Sequence, residues 1–218
     1  MKKIAVCLSG CGVFDGAEVH ESVLTLLAID EAGAKAICCA PDIDFSVIDH
    51  LQKKPSGETR NVLAESARIA RGEIVDLRTV RAADVDALVF PGGFGAAKNL
   101  CDFADKGAAC TVNHEVERVA GEMLAARKPI GAICIAPAML ARIVCKKDLH
   151  PKLTIGSDEA TAGVINQMGA QHCPCAVTDM VVDEKHKIVT TPAYMLGRGP
   201  AEVYQGIRKL VNQVIALA

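Results

Sequence analysis

Cys134 is the residue in this sequence best placed to do chemistry. It lies in Gly131-Ala132-Ile133-Cys134-Ile135-Ala136-Pro137-Ala138, where a buried-strand pattern changes abruptly into a helix pattern. A nucleophile held in a tight strand–turn–helix junction needs small neighbours, because bulky ones would clash in the turn. The helix that follows, with Pro137 in its first turn, offers its positive end to the thiol and favours the thiolate. A thiolate so placed can attack an electrophilic carbon. The competing reading is packing alone, since free cysteine is among the most buried residue types. The junction favours the nucleophile.

A nucleophile needs an acid–base partner. Glu18, His20 and Glu21 follow the first strand, and a doubly wound sheet can bring that loop beside Cys134. Acids in a first helical turn also suit the helix dipole with no further role. Gly92 and Gly93 follow the apolar strand Ala87 to Phe90, where free backbone N–H groups can face an anion or simply form a turn. The spacing Gly10-x-Gly12-x-x-x-Gly16 is one residue too long for a dinucleotide fingerprint and reads as a tight turn. No nucleotide phosphate loop is present, and no cofactor is expected.

The chain carries ten cysteines. The first apolar run is too short for a signal peptide, and no stretch approaches the roughly 18 apolar residues of a membrane helix. The thiols are therefore read as reduced and the location as cytoplasmic. His172, Cys173 and Cys175 offer three soft ligands, but no second pair completes a closed zinc site, so no metal is expected. Cys7, Cys38, Cys39 and Cys145 read as packing. Cys11 lies in the loop before Glu21, where it can serve as an accessory or resolving thiol. Asn113, His114 and Glu115 open a helix, as capping residues or as part of the pocket.

With 218 residues, half of them apolar, the chain can bury a core as one domain spanning 1–218. A net charge of −2 and 3% aromatics give no footprint for nucleic acid or an anionic membrane. Strand patterns at Lys3 to Leu8, Lys35 to Ala40, Ala87 to Phe90, Pro129 to Ile133 and Leu153 to Ile155 alternate with helical ones. The helical patterns include a face of Val19, Val23, Leu26 and Leu27, then Asn61 to Ala70, Val112 to Arg127, Ala136 to Val144, Glu159 to Met168 and Ala201 to Ala216. Asp42 to Gly57 is irregular. Val177 to Val182 and Lys187 to Thr190 read as a hairpin. The pattern predicts an α/β fold with a mostly parallel sheet covered by helices on both faces.

Three stretches carry a resemblance: Leu8-Ser9-Gly10-Cys11-Gly12-Val13-Phe14-Asp15-Gly16, Phe90-Pro91-Gly92-Gly93-Phe94-Gly95-Ala96-Ala97-Lys98-Asn99-Leu100, and Cys134-Ile135-Ala136-Pro137-Ala138-Met139-Leu140. Together with Glu58-Thr59-Arg60-Asn61-Val62-Leu63 and Val189-Thr190-Thr191-Pro192-Ala193-Tyr194-Met195, they resemble the ElbB branch ("enhancing lycopene biosynthesis", also described as glyoxalase) of the ThiJ/PfpI superfamily. The resemblance implies a flavodoxin-like, class I glutamine amidotransferase-like fold with Cys134 as elbow nucleophile. It makes Glu21 the acid beside the thiol and the N–H groups of Gly93 and Ile135 an oxyanion hole. Gly92, Cys11, Asn113 and His114 fall near the implied pocket. Homodimers are common in the superfamily.

Departures narrow the activity. Ile135 stands where the protease-like branch has histidine, and no His–Glu pair follows Val189 to complete an amidotransferase triad. Gly156 falls near the place of a later histidine found in the deglycase-like branch. The resemblance thus implies a cofactor-independent glyoxalase acting on a small 2-oxoaldehyde through a Cys134 hemithioacetal. The alternative is a redox-sensing or regulatory cysteine protein associated with isoprenoid metabolism.

Overall fold

The computed structural model describes residues 1–218. The chain begins with β1 (Lys3–Cys7), α1 (Val19–Glu31), β2 (Lys35–Ala40), β3 (Asp44–Asp49), β4 (Lys54–Asn61), α2 (Val62–Ile69), β5 (Ile74–Asp76) and β6 (Ala87–Phe90). Two short helices, α3 (Phe94–Lys98) and α4 (Phe103–Lys106), lead to α5 (His114–Ala125), β7 (Ile130–Ile133) and α6 (Ala136–Cys145). The remainder is β8 (Lys152–Leu153), α7 (Glu159–Gln167), β9 (Gln171–His172), β10 (Val181–Asp183), β11 (Ile188–Thr191) and α8 (Pro200–Leu217). No helix is long and apolar enough to cross a membrane.

Seven strands form the central sheet in the order β10-β11-β7-β6-β1-β2-β5. Every neighbouring pair is parallel except β10 with β11. This is the α/β architecture expected from the alternating patterns. Successive residues of β1 serve opposite cores, as strand pleating requires. Ala5 and Cys7 pack with α5 and α6, whereas Ile4 and Val6 pack with α1 and α8. Gly131 of β7 makes the second layer possible, since a β-carbon there would stand 2.9 Å from a methyl of Leu210 on α8. The chain builds outward from β1 on one side through β2 and β5. It builds on the other side through β6, β7 and β11. That reversal opens a crevice at the carboxyl ends of the strands, where open α/β sheets bind ligands.

Several elements differ from the sequence reading. On α1 the buried face is Glu21, Ser22, Thr25, Ala28 and Ile29, and Val19, Val23 and Leu27 are 37–49% exposed. Ala28 and Ile29 of that face share one core with Val203, Ile207 and Leu210 of α8, and this packing outweighs the apolar recurrence on the other side. The irregular stretch 42–57 holds β3 and much of β4, an antiparallel ribbon whose second strand is almost wholly polar and exposed. Phe45 and Val47 anchor that ribbon on Ala40 and Val62. β8 pairs with β9 outside the main sheet. The second hairpin pairs only from Val181, leaving Val177 to Met180 outside it. Helix α5 starts at His114 rather than Val112, because the Asn113 side chain accepts hydrogen bonds from Glu115 N and Val116 N. Asn113→Ala is expected to lower stability by about 1 kcal/mol, the usual worth of such a cap, and thermal unfolding measures it.

Candidate active site

Four adjacent strands send their carboxyl ends into one place. Cys134 follows β7 at φ 61°, the left-handed region, so its side chain stands out of the turn. Its N–H donates to the Thr191 carbonyl at the end of β11 (2.9 Å), which fixes the elbow to the neighbouring strand. Ala193, just beyond β11, is also left-handed at φ 44°. That turn aims the Tyr194 N–H at Oε1 of Glu21 (3.1 Å). Gly92, beyond β6, donates to Oε2 of the same carboxyl (3.0 Å). Glu21 sits in the first turn of α1, fully buried, and its carboxyl lies with the Cys134 side chain against Gly92.

The glycines are required by close approach. A β-carbon on Gly92 would overlap Cβ of Cys134 and stand 2.6 Å from Oε2 of Glu21. Gly93 has φ 92°, and a side chain there would meet the Gly16 carbonyl at 2.5 Å. The loop after β1 is clamped onto this segment. Glu18 N donates to the Gly92 carbonyl (2.9 Å), Phe94 N to Val13 O (2.8 Å) and Gly95 N to Gly16 O (2.9 Å). The Asn99 amide bonds the carbonyls of Ser9 (2.8 Å) and Asp15 (2.7 Å). Gly10, Gly12 and Gly16 therefore shape a loop that docks against the second glycine loop.

Burial dominates the electrostatics. It pushes the Glu21 carboxyl up to about 8, with the Glu18 carboxylate adding to it and the Tyr194 and Gly92 N–H groups and the Cys134 thiol opposing. Burial also pushes the Cys134 thiol well above its usual range, and the Glu21 carboxylate pushes the same way. The backbone N–H groups of Gly93 and Ile135 favour the charged sulfur and oppose that rise. The helix-end effect expected to make a resting thiolate is thus outweighed by desolvation. The resting pair is a thiol beside a carboxyl group that titrates near neutrality.

The three acid–base candidates separate clearly. Glu21 meets the thiol. Glu18 caps α1, accepting from the Glu21 N–H (2.6 Å). His20 lies at the surface, its Nδ1 2.8 Å from the Tyr194 hydroxyl. Gly92, Gly93 and Ile135 surround Cys134. Cys11, Asn113 and His114 do not join them. Cys11 lines a separate cavity of about 270 Å³ with Asp15, Phe45, His50 and Arg60, beneath the β3–β4 ribbon. Asn113 is spent as a helix cap, and the His114 side chain is 88% exposed beside Glu115. Gly156 is packed under Leu196 and Pro192, so Leu196 occupies the space a side chain there would need. His172 Nε2 accepts the Ile155 N–H (3.4 Å). Tyr194 was missed as a site residue. Its signal lay in the Val189 to Met195 motif, but a backbone donor leaves no mark on residue type.

No family model matches the sequence. Curated relatives do. The chain is 45% identical over 226 residues to the rat (Rattus norvegicus) ES1 protein homolog, mitochondrial, covering 99% of this chain and 84% of that protein. It is 46% identical over 226 residues to the human (Homo sapiens) glutamine amidotransferase-like class 1 domain-containing protein 3, mitochondrial, covering 99% and 83%. A crystal structure of an isoprenoid biosynthesis protein with an amidotransferase-like domain from Ehrlichia chaffeensis superposes with TM-score 0.93 at 37% identity, covering 100% and 99%. Glyoxalase III from Candida albicans shares the fold alone, with TM-score 0.64 at 17% identity over 99% and 97%. The resemblance to the ElbB branch is thus met at the level of the superfamily, and the curated relatives carry other names. Those names also overturn the cytoplasmic expectation, since they point to mitochondria. Reduced thiols argue only against an oxidising compartment and do not tell one reducing compartment from another.

Proposed function

The chain belongs to the ES1 family of glutamine amidotransferase-like proteins, and from that premise we propose that it is a cofactor-independent glyoxalase for small 2-oxoaldehydes. The observation that carries this reading is the buried Glu21 carboxyl, held by Gly92 N and Tyr194 N, packed against Gly92 together with the Cys134 elbow. With Cys134 only 8% exposed, the site suits a small aldehyde such as methylglyoxal or glyoxal.

The steps follow from the geometry. Ionised Glu21 takes the thiol proton as sulfur bonds to the aldehyde carbon. The carbonyl oxygen, now an alkoxide, is held by the N–H groups of Gly93 and Ile135, at about 3–4 kcal/mol per donor in well-studied sites. Glu21 returns the proton to that oxygen, giving a hemithioacetal. Its carboxylate then moves the proton from the former aldehyde carbon to the neighbouring carbonyl oxygen, giving an enediol, and next moves the proton of the first hydroxyl to the neighbouring carbon as the thioester carbonyl forms. The product is a 2-hydroxy thioester, which water cleaves to a 2-hydroxy acid and free Cys134. Electrons balance without an external oxidant, and one water is consumed.

The test is lactate formation from methylglyoxal by the purified protein without glutathione. Because Glu21 must start as the carboxylate and titrates at about 8, kcat/KM is expected to rise with pH and level off above that value. Absence of lactate at every pH overturns the reading.

A second reading is a redox-sensing thiol tied to isoprenoid metabolism. It is favoured by the Ehrlichia relative's description, and by three donors that could equally hold the oxygens of a Cys134 sulfinate. Mass spectrometry after mild peroxide, showing selective gain of two oxygens at Cys134 with no aldehyde turnover, would favour it.

A further inference from the structure

Tyr194 meets the first turn of α1 at two points. Its N–H donates to Oε1 of Glu21 (3.1 Å), and its hydroxyl stands 2.8 Å from Nδ1 of His20, the residue before Glu21. The His20 and Tyr194 rings also pack on each other, with centroids 5.8 Å apart. Consecutive helical side chains point about 100° apart, so His20 can face solvent while Glu21 is buried. Glu21 thus takes the backbone end of Tyr194, and its neighbour takes the phenol end.

The two N–H donors to Glu21 are not held alike. Gly92 is fixed where its own carbonyl accepts Glu18 N (2.9 Å) and where a methyl group would find no room. Tyr194 leaves β11 through Ala193, at φ 44° in the left-handed region. A non-glycine residue there is strained, and it persists only where surrounding contacts over-determine the turn. Ala193 is fully buried, and its carbonyl accepts Leu196 N (3.1 Å) and Gly197 N (2.8 Å), which holds the far side of the turn. On the side of Tyr194, the hydrogen bond beyond Glu21 is the one between its hydroxyl and His20.

We propose that His20 and Tyr194 form a clamp that positions Glu21: the bond between hydroxyl and imidazole ties the turn after β11 to α1 and keeps the Tyr194 N–H on the carboxyl. His20 acts through Tyr194 and is a positioning residue. The bearing of the clamp on turnover rests on the reading of Glu21 as the acid–base partner of Cys134, whereas its bearing on the carboxyl does not. An N–H donor favours the carboxylate, so a displaced Tyr194 N–H lets Glu21 keep its proton to higher pH. The other titratable groups facing Glu21 are Glu18, just before α1, and Cys134, after β7. Burial raises the Tyr194 phenol above its usual value, so it stays protonated throughout that range.

The test follows the Glu21 side-chain carboxyl by carbon-13 NMR across pH, with its signal assigned by its loss in Glu21→Gln. Tyr194→Phe and His20→Ala are each expected to raise the midpoint by about half a unit, part of the roughly one unit that a whole neutral hydrogen bond represents. The double variant is expected to shift it no further, since both changes remove one bond. His20→Asn is expected to restore the wild-type midpoint, because its amide can stand where Nδ1 stands. That variant carries no ring charge, so it separates the hydrogen bond from any charge on the histidine. With methylglyoxal, kcat is expected to fall about threefold in Tyr194→Phe and His20→Ala, the equivalent of half a unit, with KM unchanged. If the wild-type protein shows no turnover, the function proposed above falls, and the carboxyl midpoints still decide the clamp. An unchanged midpoint in Tyr194→Phe, a shift in one single variant without the other, or failure of His20→Asn to restore it overturns the inference.

Discussion

Glu21→Gln is expected to lower methylglyoxal turnover by about 10²–10⁴-fold, the range for removal of a positioned acid–base group. Cys134→Ser is expected to leave no measurable turnover, because the hydroxyl is a far weaker nucleophile than the thiol. The two should not add, since one group activates the other. The carboxyl accepts an N–H at each oxygen, from Tyr194 and Gly92, and an amide oxygen can satisfy only one. A stability loss of about 1–3 kcal/mol therefore accompanies the glutamine variant, and its folding must be checked alongside turnover. The pH dependence separates the effects. With its folded value raised to about 8 from an unfolded 4.5, Glu21 keeps a proton that the unfolded chain has released. Its contribution to stability is full below pH 4.5 and is lost as pH rises toward 8. The difference in unfolding temperature between the wild-type protein and Glu21→Gln should shrink across that window. A constant difference would mean that Glu21 is already ionised at neutral pH. Retained turnover in Cys134→Ser would remove the nucleophile from the mechanism.

Gly92→Ala is the second large effect. The added methyl would overlap Cβ of Cys134 and press on Oε2 of Glu21, neither of which can retreat. The thiol is locked by the Cys134–Thr191 backbone bond, and Glu21 is locked by two N–H donors. Overpacking of this kind costs about 1–3 kcal/mol. Displacement of the reacting groups costs turnover on the order of 100-fold, since catalytic geometry tolerates little error. Steady-state kinetics beside thermal unfolding would show both. An alanine variant with wild-type kinetics would mean that the thiol and carboxyl do not need the separation seen here.

Particular residues show how much of this was legible. The buried strands and the elbow could be read because a strand covered on both faces must be apolar throughout, and a strained turn admits only small neighbours. Glu21 stood out from Glu18 and His20 only by resemblance. Their roles as partner, cap and rim depend on which way one helical turn faces. The β3–β4 ribbon left little trace, because an exposed antiparallel ribbon needs backbone pairing more than apolar side chains. The outward stripe of Val19, Val23 and Leu27 misled for a related reason. Which face of α1 is buried depends on what packs against it, and Ala28 and Ile29 join α8 in one core.

The sequence by itself determined the parallel α/β class, the elbow cysteine and the two glycine loops. Each of these rests on local rules of pleating, turn sterics and φ range. Only the tertiary structure decided the protonation of the pair, the Tyr194 backbone donor, the exclusion of Cys11, Asn113 and His114, and the contact of His20 with Tyr194. Those depend on desolvation and on which chain segments meet in space, and residue type and spacing encode neither.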